Sequence, residues 1–132
     1  MTEPLHEILY CSVLAPGQPP DVVGKIVSSA RAHNARQSIT GLLVFDGMRF
    51  CQHFEGPQAV VAPLMQRIGQ DPRHTLIRVA YQGAILERRY RTFDMGFAAT
   101  EDPDDMAGIH SLDGEAALQR FLALRPGFDV SG

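Results

Sequence analysis

Apolar residues along the chain either alternate with polar ones or recur every three to four positions, and this pattern resolves seven elements and a tail. Leu5 to Val13 is an apolar run, rich in β-branched and aromatic residues and closed by Ala15-Pro16-Gly17. It reads as a strand with Ile8, Tyr10 and Ser12 on one face. Pro19-Pro20-Asp21 stops the strand and offers an N-cap, after which Val23, Ile26, Val27 and Ala30 form the stripe of an amphipathic helix. His33 and Asn34 extend that stripe by three and four from Ala30. They are either C-terminal capping groups, the commoner case, or ligand contacts at the inner end of the helix.

From Ser38 to Gly56 two apolar strands are joined through Asp46-Gly47, a dipeptide suited to a tight hairpin turn. On the second strand Met48, Phe50, Gln52 and Phe54 share a face, which sets one amide in a row of hydrophobes. A buried amide without partners costs on the order of 1 to 3 kcal/mol, so Gln52 is expected to be hydrogen-bonded, to protein or to a ligand. Gly56-Pro57 opens a second helix with Val60, Val61, Leu64 and Ile68 inward. Pro63 in its middle removes a hydrogen bond and predicts a kink. Arg67 and Asp71, spaced i, i+4 at one end, read as a surface ion pair.

Asp71-Pro72-Arg73-His74 ends the second helix. Thr75 to Gln82 and Tyr90 to Ala98 read as the last two strands, with Glu87-Arg88-Arg89 at the turn and Phe93, Met95 and Phe97 on one face. Arg88, Arg89 and Arg91 are expected at a solvated turn and strand edge rather than at an anion site. From Glu101 the chain becomes acidic and small-residued, and Glu115 to Leu124 has the period of a short helix with Leu118, Phe121 and Leu122 on one side. This tail reads as a cap or a docking element.

The order strand, helix, strand, strand, helix, strand, strand predicts an α+β fold, a ferredoxin-like βαββαββ sandwich. Two helices lie on one face of a five-stranded mixed sheet, and a C-terminal helical tail follows. In that topology the helices run parallel. His33 and Asn34 on one, and Arg67 and Asp71 on the other, then flank a groove whose floor carries Tyr10 and Gln52.

Composition narrows the chemistry. With 132 residues and 45% hydrophobic content, one compact domain is expected. A net charge of -3 and a pI near 5.9 make nucleic acid a poor partner. No run approaches the roughly 18 apolar residues of a spanning helix, and Met-Thr-Glu-Pro-Leu-His-Glu lacks a signal peptide's features. No membrane association is expected, and a cytoplasmic location is. Cys11 and Cys51, each inside a strand-like segment, read as reduced, buried thiols. None of the five histidines has metal-ligand spacing, so no metal is expected, and His6, His53 and His110 read as ordinary surface residues. Dinucleotide, Walker A and serine-elbow motifs are absent. A polar groove with few acids and bases placed for turnover points to binding, not to an enzyme.

Several segments together resemble one family. They are Ile8-Leu9-Tyr10-Cys11-Ser12, Ala32-His33-Asn34-Ala35-Arg36, Ile39-Thr40-Gly41-Leu42-Leu43, Phe50-Cys51-Gln52 with Phe54-Glu55-Gly56, Asp71-Pro72-Arg73-His74, Arg88-Arg89-Tyr90 and Phe93-Asp94-Met95-Gly96-Phe97. In this order and spacing, over roughly residues 5 to 98, they are similar to a BLUF domain, the blue-light sensor that uses FAD. The resemblance implies a flavin-binding domain over residues 1–100 and a C-terminal extension over 101–132. It implies an isoalloxazine ring between the two helices, with FAD as the flavin and FMN or riboflavin undistinguished from it. It also implies that Tyr10 is the electron and proton donor, that Gln52 bridges tyrosine and ring, and that Asn34 holds the ring's polar edge. Ile26 and Ile68 match positions that pack on the ring faces. His33, Arg67, Asp71, Arg73 and His74 match positions that line the flavin and its ribityl-phosphate side, and Phe93 and Met95 the pair that relays the change outward. Signalling would pass to an unidentified downstream protein or through a homodimer.

Two departures bear on those roles. Many family members carry tryptophan where this chain has Phe93, and the chain has none, so the relay is expected to rest on Met95. Pro63 is also unusual for the family. Against this reading stand an acylphosphatase-like hydrolase, whose phosphate-cradling loop after strand one this chain lacks, and a dimeric α+β sandwich that binds another small effector or serves only as an interaction module.

Overall fold

The computed structural model describes residues 4–90, 95–127 and 130–131. Along the chain run β1 (Leu5–Leu14), α1 (Val22–Gln37), β2 (Thr40–Phe45), β3 (Arg49–Pro57), α2 (Gln58–Gly69), β4 (His74–Ile85), β5 (Gly96–Ala99), α3 (Pro103–His110), α4 (Gly114–Leu124), a 3-10 turn (Arg125–Gly127) and β6 (Val130–Ser131). The sheet order is β4-β1-β3-β2-β5-β6. Every pairing is antiparallel except that of β2 with β5. This is the expected βαββαββ sandwich with a tail. The two-residue β6 adds a sixth strand at the edge of β5, which no apolar run announced.

The hairpin forms where the sequence places it. The Asp46 carboxylate accepts from the backbone N–H groups of Met48 at 3.0 Å and Arg49 at 2.6 Å, and Gly47 takes φ +99°. Met48 belongs to this turn and is 55% exposed, so the apolar row on β3 begins at Phe50 instead. A Cβ on Gly41 would lie 2.4 Å from the His53 carbonyl oxygen, so glycine is what lets β2 close onto β3 there.

Helix α1 runs on to Gln37 and is capped by Ser38 in the left-handed conformation, its N–H donating to the Asn34 carbonyl. The capping expectation for His33 and Asn34 is thereby corrected: both sit inside the helix, and only the Asn34 main chain takes part in the cap. Asp21 occupies the N-cap position without a side-chain cap bond. Strand β3 continues through Pro57, so α2 begins one residue later than Pro57, with Pro63 at its sixth position.

Both faces of the sheet are covered, as its alternating burial requires. Ile8, Tyr10, Leu43, Phe50 and Phe54 face α1 and α2, together with Val23, Val27 and Val61. Leu9, Cys11, Leu42, Val44 and Cys51 face the other way, onto Met106 and Ile109 of α3 and Ala117 and Phe121 of α4. Fully burying an aromatic such as Phe50, Phe54 or Phe121 contributes roughly 1.5 to 3 kcal/mol each. The tail therefore closes half of the core. No helix among the described residues is long and apolar enough to cross a membrane.

Candidate functional site

At the ends of α1 and α2 furthest along the chain, the two helices part over the middle of the sheet and leave a cavity of about 160 Å³. That is about an order of magnitude more than one water needs on the same measure. Its floor is made by Tyr10 of β1 and Gln52 of β3, which are directly paired across the strands. Ile26, His33 and Asn34 come from α1, Arg67 and Ile68 from α2, and Asp71, Arg73 and His74 from the segment entering β4. The structure thus gathers into one cavity Tyr10, Gln52 and all eight further residues singled out in the sequence for a ligand. The convergence follows from topology: two parallel helices on one face bring their C-terminal ends to the same side.

The floor is a short chain of hydrogen bonds. The Tyr10 hydroxyl donates to Gln52 Oε1 at 2.5 Å, and Gln52 Nε2 donates to Met95 Sδ at 3.3 Å. All three side chains are buried, so the amide is satisfied at both ends without a ligand. Burial pushes the Tyr10 hydroxyl far above the ordinary tyrosine range, and the nearby Asp71 carboxylate adds to it. It therefore keeps its proton at any physiological pH. Its ring stands edge-on to Phe54 and His74, at centroid distances of 6.5 and 6.0 Å, which fixes where the hydroxyl points. Met95 is held in turn by Arg31 of α1, whose Nε donates to its carbonyl at 2.8 Å. Phe93 lies outside the described residues, as does Arg91.

The rim is polar and partly preassembled. Asp71 and Arg73 form a bidentate pair, with Arg73 Nη2 donating to Oδ2 at 2.6 Å and Nε to Oδ1 at 2.9 Å. That guanidinium holds the Asp71 carboxyl below its usual range. The expected Arg67–Asp71 ion pair is thus replaced: α2 ends at Gly69, so Asp71 is off the helix and turns to Arg73, while Arg67 Nη1 donates to His33 at 3.0 Å. Burial, and then the Arg67 charge, lower the His33 pKa and favour the neutral ring. His74 spans Ser12 Oγ at 2.8 Å and the Ile68 carbonyl at 2.7 Å. Both its ring nitrogens are engaged, so it offers the cavity the side of its ring. Asn34 is 1% exposed at the cavity wall. Ser29, Ala30, Leu43, Phe50 and Leu64 complete the lining. The apolar members of this group were legible as core, and nothing in the sequence marked Ser29.

On the opposite face the sequence reading of the histidines fails. His53 is fully buried, with Nε2 donating to Glu7 at 2.8 Å and Nδ1 meeting the Tyr90 hydroxyl at 2.7 Å. His110, half-buried, donates from Nε2 to the Phe50 carbonyl at 2.9 Å. Their burial depends on the tail: Phe121 of α4 packs on His53, and His110 is itself brought onto the sheet by the last turn of α3. Arg89 is anchored to Glu7, and Arg88 to Thr40 and the Ser38 carbonyl, so this turn is tethered and not merely solvated. Cys11 and Cys51 are free and buried with their sulfurs 3.3 Å apart.

Residues 5–96 match the family model described as BLUF, sensors of blue light using FAD. The chain is 40% identical over 77 residues to the photoactivated adenylate cyclase subunit beta of Euglena gracilis, a match covering 58% of this chain and 9% of that one. It is 36% identical over 70 residues to the blue light- and temperature-regulated antirepressor BluF of Escherichia coli, covering 53% of this chain and 17% of that protein. The chain thus spans less than a fifth of either relative. Among solved structures, the dark state of BlrB, a BLUF protein, superposes with a TM-score of 0.71 at 28% identity over 79% of each chain.

Proposed function

The chain belongs to the BLUF family of blue-light sensors using FAD, and from that premise we propose that its cavity holds the flavin and that Tyr10, Gln52 and Met95 switch with light. The observation that carries this reading is the buried row that runs from the Tyr10 hydroxyl and the Gln52 amide on the cavity floor to the Met95 sulfur behind it. The residues suit the group. Ile26 and Ile68 offer apolar walls from opposite helices, the amides of Asn34 and Gln52 offer both donors and acceptors to a ring edge of alternating carbonyls and nitrogens, and Arg67 and Arg73 offer cations at the rim. When bound, the flavin supplies absorption of blue light and, once excited, an acceptor for one electron and one proton.

Tyr10 is the oxidisable side chain at the floor, and its raised pKa keeps it a neutral donor in the dark. Gln52 has one end that accepts and one that donates. Rotation or tautomerisation of the amide replaces the acceptor facing Tyr10 by a donor and withdraws the donor facing Met95. Two buried hydrogen bonds change together, which makes the amide a two-state element. Met95 then carries the change out of the cavity, through a backbone that leads into β5. Residues 1–100 form the sensing domain in this reading and 101–132 an extension. Output passes to a downstream protein or through a homodimer, and the protein works in the cytoplasm.

Purified protein should be yellow, with a flavin band that blue light moves reversibly to the red. Tyr10→Phe should keep the flavin, since the ring still packs against Phe54 and His74, and should abolish the shift. A normal photocycle in that variant removes Tyr10 from the role of donor. A preparation that neither retains nor takes up flavin overturns the whole reading.

A further inference from the structure

The rung of the sheet next to Tyr10 and Gln52 carries a second chemistry on its other face. Cys11 follows Tyr10, Cys51 precedes Gln52, and the two cysteines are directly opposite each other on β1 and β3. Their sulfurs are 3.3 Å apart, and neither is in a disulfide. Above them lies His110, from the last turn of α3. One ligand atom from each of the three residues falls within 4.8 Å of the others, so three elements far apart in sequence converge on one point. We propose that Cys11, Cys51 and His110 form a binding site for a thiophilic divalent cation, zinc(II), on the tail-facing side of the sheet.

The donor set and its surroundings fit that ion. Sulfur and imidazole ligands select zinc over oxygen-seeking cations. With metal–sulfur bonds of about 2.3 Å at the tetrahedral angle, two thiolates sit roughly 3.8 Å apart, so the observed pair must open by only about half an ångström. The His110 ring, whose ligand atom lies within 4.8 Å of the sulfurs, completes the set by closing to the roughly 3.5 Å that tetrahedral sulfur and nitrogen ligands keep. Its Nε2 is held by the Phe50 carbonyl, which can only accept, so Nε2 carries the hydrogen and the other ring nitrogen keeps its lone pair. A backbone carbonyl holding a liganding histidine's second nitrogen is the usual outer-shell arrangement. Binding displaces one proton from each thiol, and a doubly charged ion with two thiolates and a neutral imidazole has no net charge. That neutrality suits a site whose two cysteines are almost wholly buried. No fourth histidine, cysteine or carboxylate joins the group among the described residues, so the fourth position is left to water.

The site does not depend on flavin chemistry. Its test uses the full chain with its flavin, stripped by a chelator under a non-thiol reductant and titrated with zinc against a chromophoric competitor in weak buffer. Expected are one ion per chain and close to two protons released per ion. Cys51→Ser and His110→Ala should each weaken binding by about tenfold or more while the far-ultraviolet circular dichroism shows the fold intact. Should Cys51→Ser not fold, cobalt(II) added to the unaltered chain decides: tetrahedral bands to the red of the flavin support the site, and octahedral bands oppose it. Absence of stoichiometric binding, no proton release, or equal binding by the folded variants would overturn the proposal and mark any zinc found as adventitious.

Discussion

Glu7→Gln tests whether the far side of the sheet is held by a buried carboxylate. Glu7 is 1% exposed, and its Oε1 accepts from His53 Nε2 and from Arg89 Nε, each at 2.8 Å, while Oε2 accepts from Arg89 Nη2 at 3.2 Å. Burial alone would raise the Glu7 pKa, but the His53 and Arg89 hydrogen bonds outweigh it and the net direction is down. Glutamine keeps the shape and one acceptor but replaces Oε2 by an NH2 that meets Arg89 donor to donor. The His53 bond loses its charge assistance and the Arg89 Nε bond its anionic partner, at a loss of about 1 kcal/mol each, and the third disappears. Because Arg89 is one-third exposed, water recovers part of this, and we expect a net cost of about 2 to 3 kcal/mol. At about 2.1 cal/mol/K per residue for 132 residues, each kcal/mol is roughly 4 °C, so Tm should fall by about 8 to 12 °C at pH 7. The folded pKa lies below the unfolded one, so Glu7's contribution is complete above the ordinary carboxylate range and is lost as pH falls through the folded value. The gap between wild type and variant should therefore narrow below about pH 4. Circular-dichroism melts at pH 7 and at about pH 3, below the ordinary carboxylate value, measure both effects, and the flavin band should not change, because Glu7 faces away from the cavity. A Tm within about 2 °C of wild type at pH 7, or a gap that persists in acid, refutes the reasoning.

Three further outcomes follow from the geometry. Gln52→Leu should retain flavin with a blue-shifted band that does not respond to light, and an unchanged spectrum would show that the amide is not at the ring. Gly41→Ala should destabilise the domain by about 1 to 3 kcal/mol or more, since the new methyl would meet the His53 carbonyl at 2.4 Å; an unaltered denaturant midpoint would mean that β2 and β3 can separate freely. Asp46→Ala removes the acceptor of two turn N–H groups and should cost about 1 to 2 kcal/mol, read as a shift in midpoint without a change in slope.

The cavity was legible because two periodicities and the order of the elements agree on it. Alternation placed Tyr10 and Gln52 on one face, helical spacing carried His33, Asn34 and Arg67 to the ends of their helices, and the βαββαββ order set those ends side by side. What escaped was whatever depended on the tail. His53 alternates with Gln52 and so points to the other face, which is solvent in a bare two-layer sandwich and core once α3 and α4 cover it. Helix α3 itself has a weak signal: its eight residues include two aspartates and a glycine, so it shows too short an apolar stripe to be read. The Arg67–Asp71 pairing failed for a local reason, since i, i+4 spacing brings side chains together only while the helix lasts, and α2 ends at Gly69.

The bonds around Met95 constrain how far a change at Gln52 can travel. Its sulfur accepts from the amide on β3, and its carbonyl accepts from Arg31 on α1. Reversal of the amide removes only the first of these, so the side-chain end is released while the main chain stays tied to α1. A neutral donor to sulfur is also the weaker contact, and a charged guanidinium on a carbonyl the stronger. Motion confined to a thioether would stop inside the core. To reach β5, which begins at the next residue and pairs with β2 on one side and β6 on the other, the Arg31 bond must lengthen as well. In the proposed switch Arg31 is therefore the latch: weakening it should let the tail respond more readily to the same event at the flavin. Arg31→Lys, which keeps the charge but not the planar donor geometry, should leave the light-induced shift of the flavin band intact and enlarge the light-dependent difference in amide exchange across β5 and β6. An unchanged exchange pattern would place the route to the tail elsewhere.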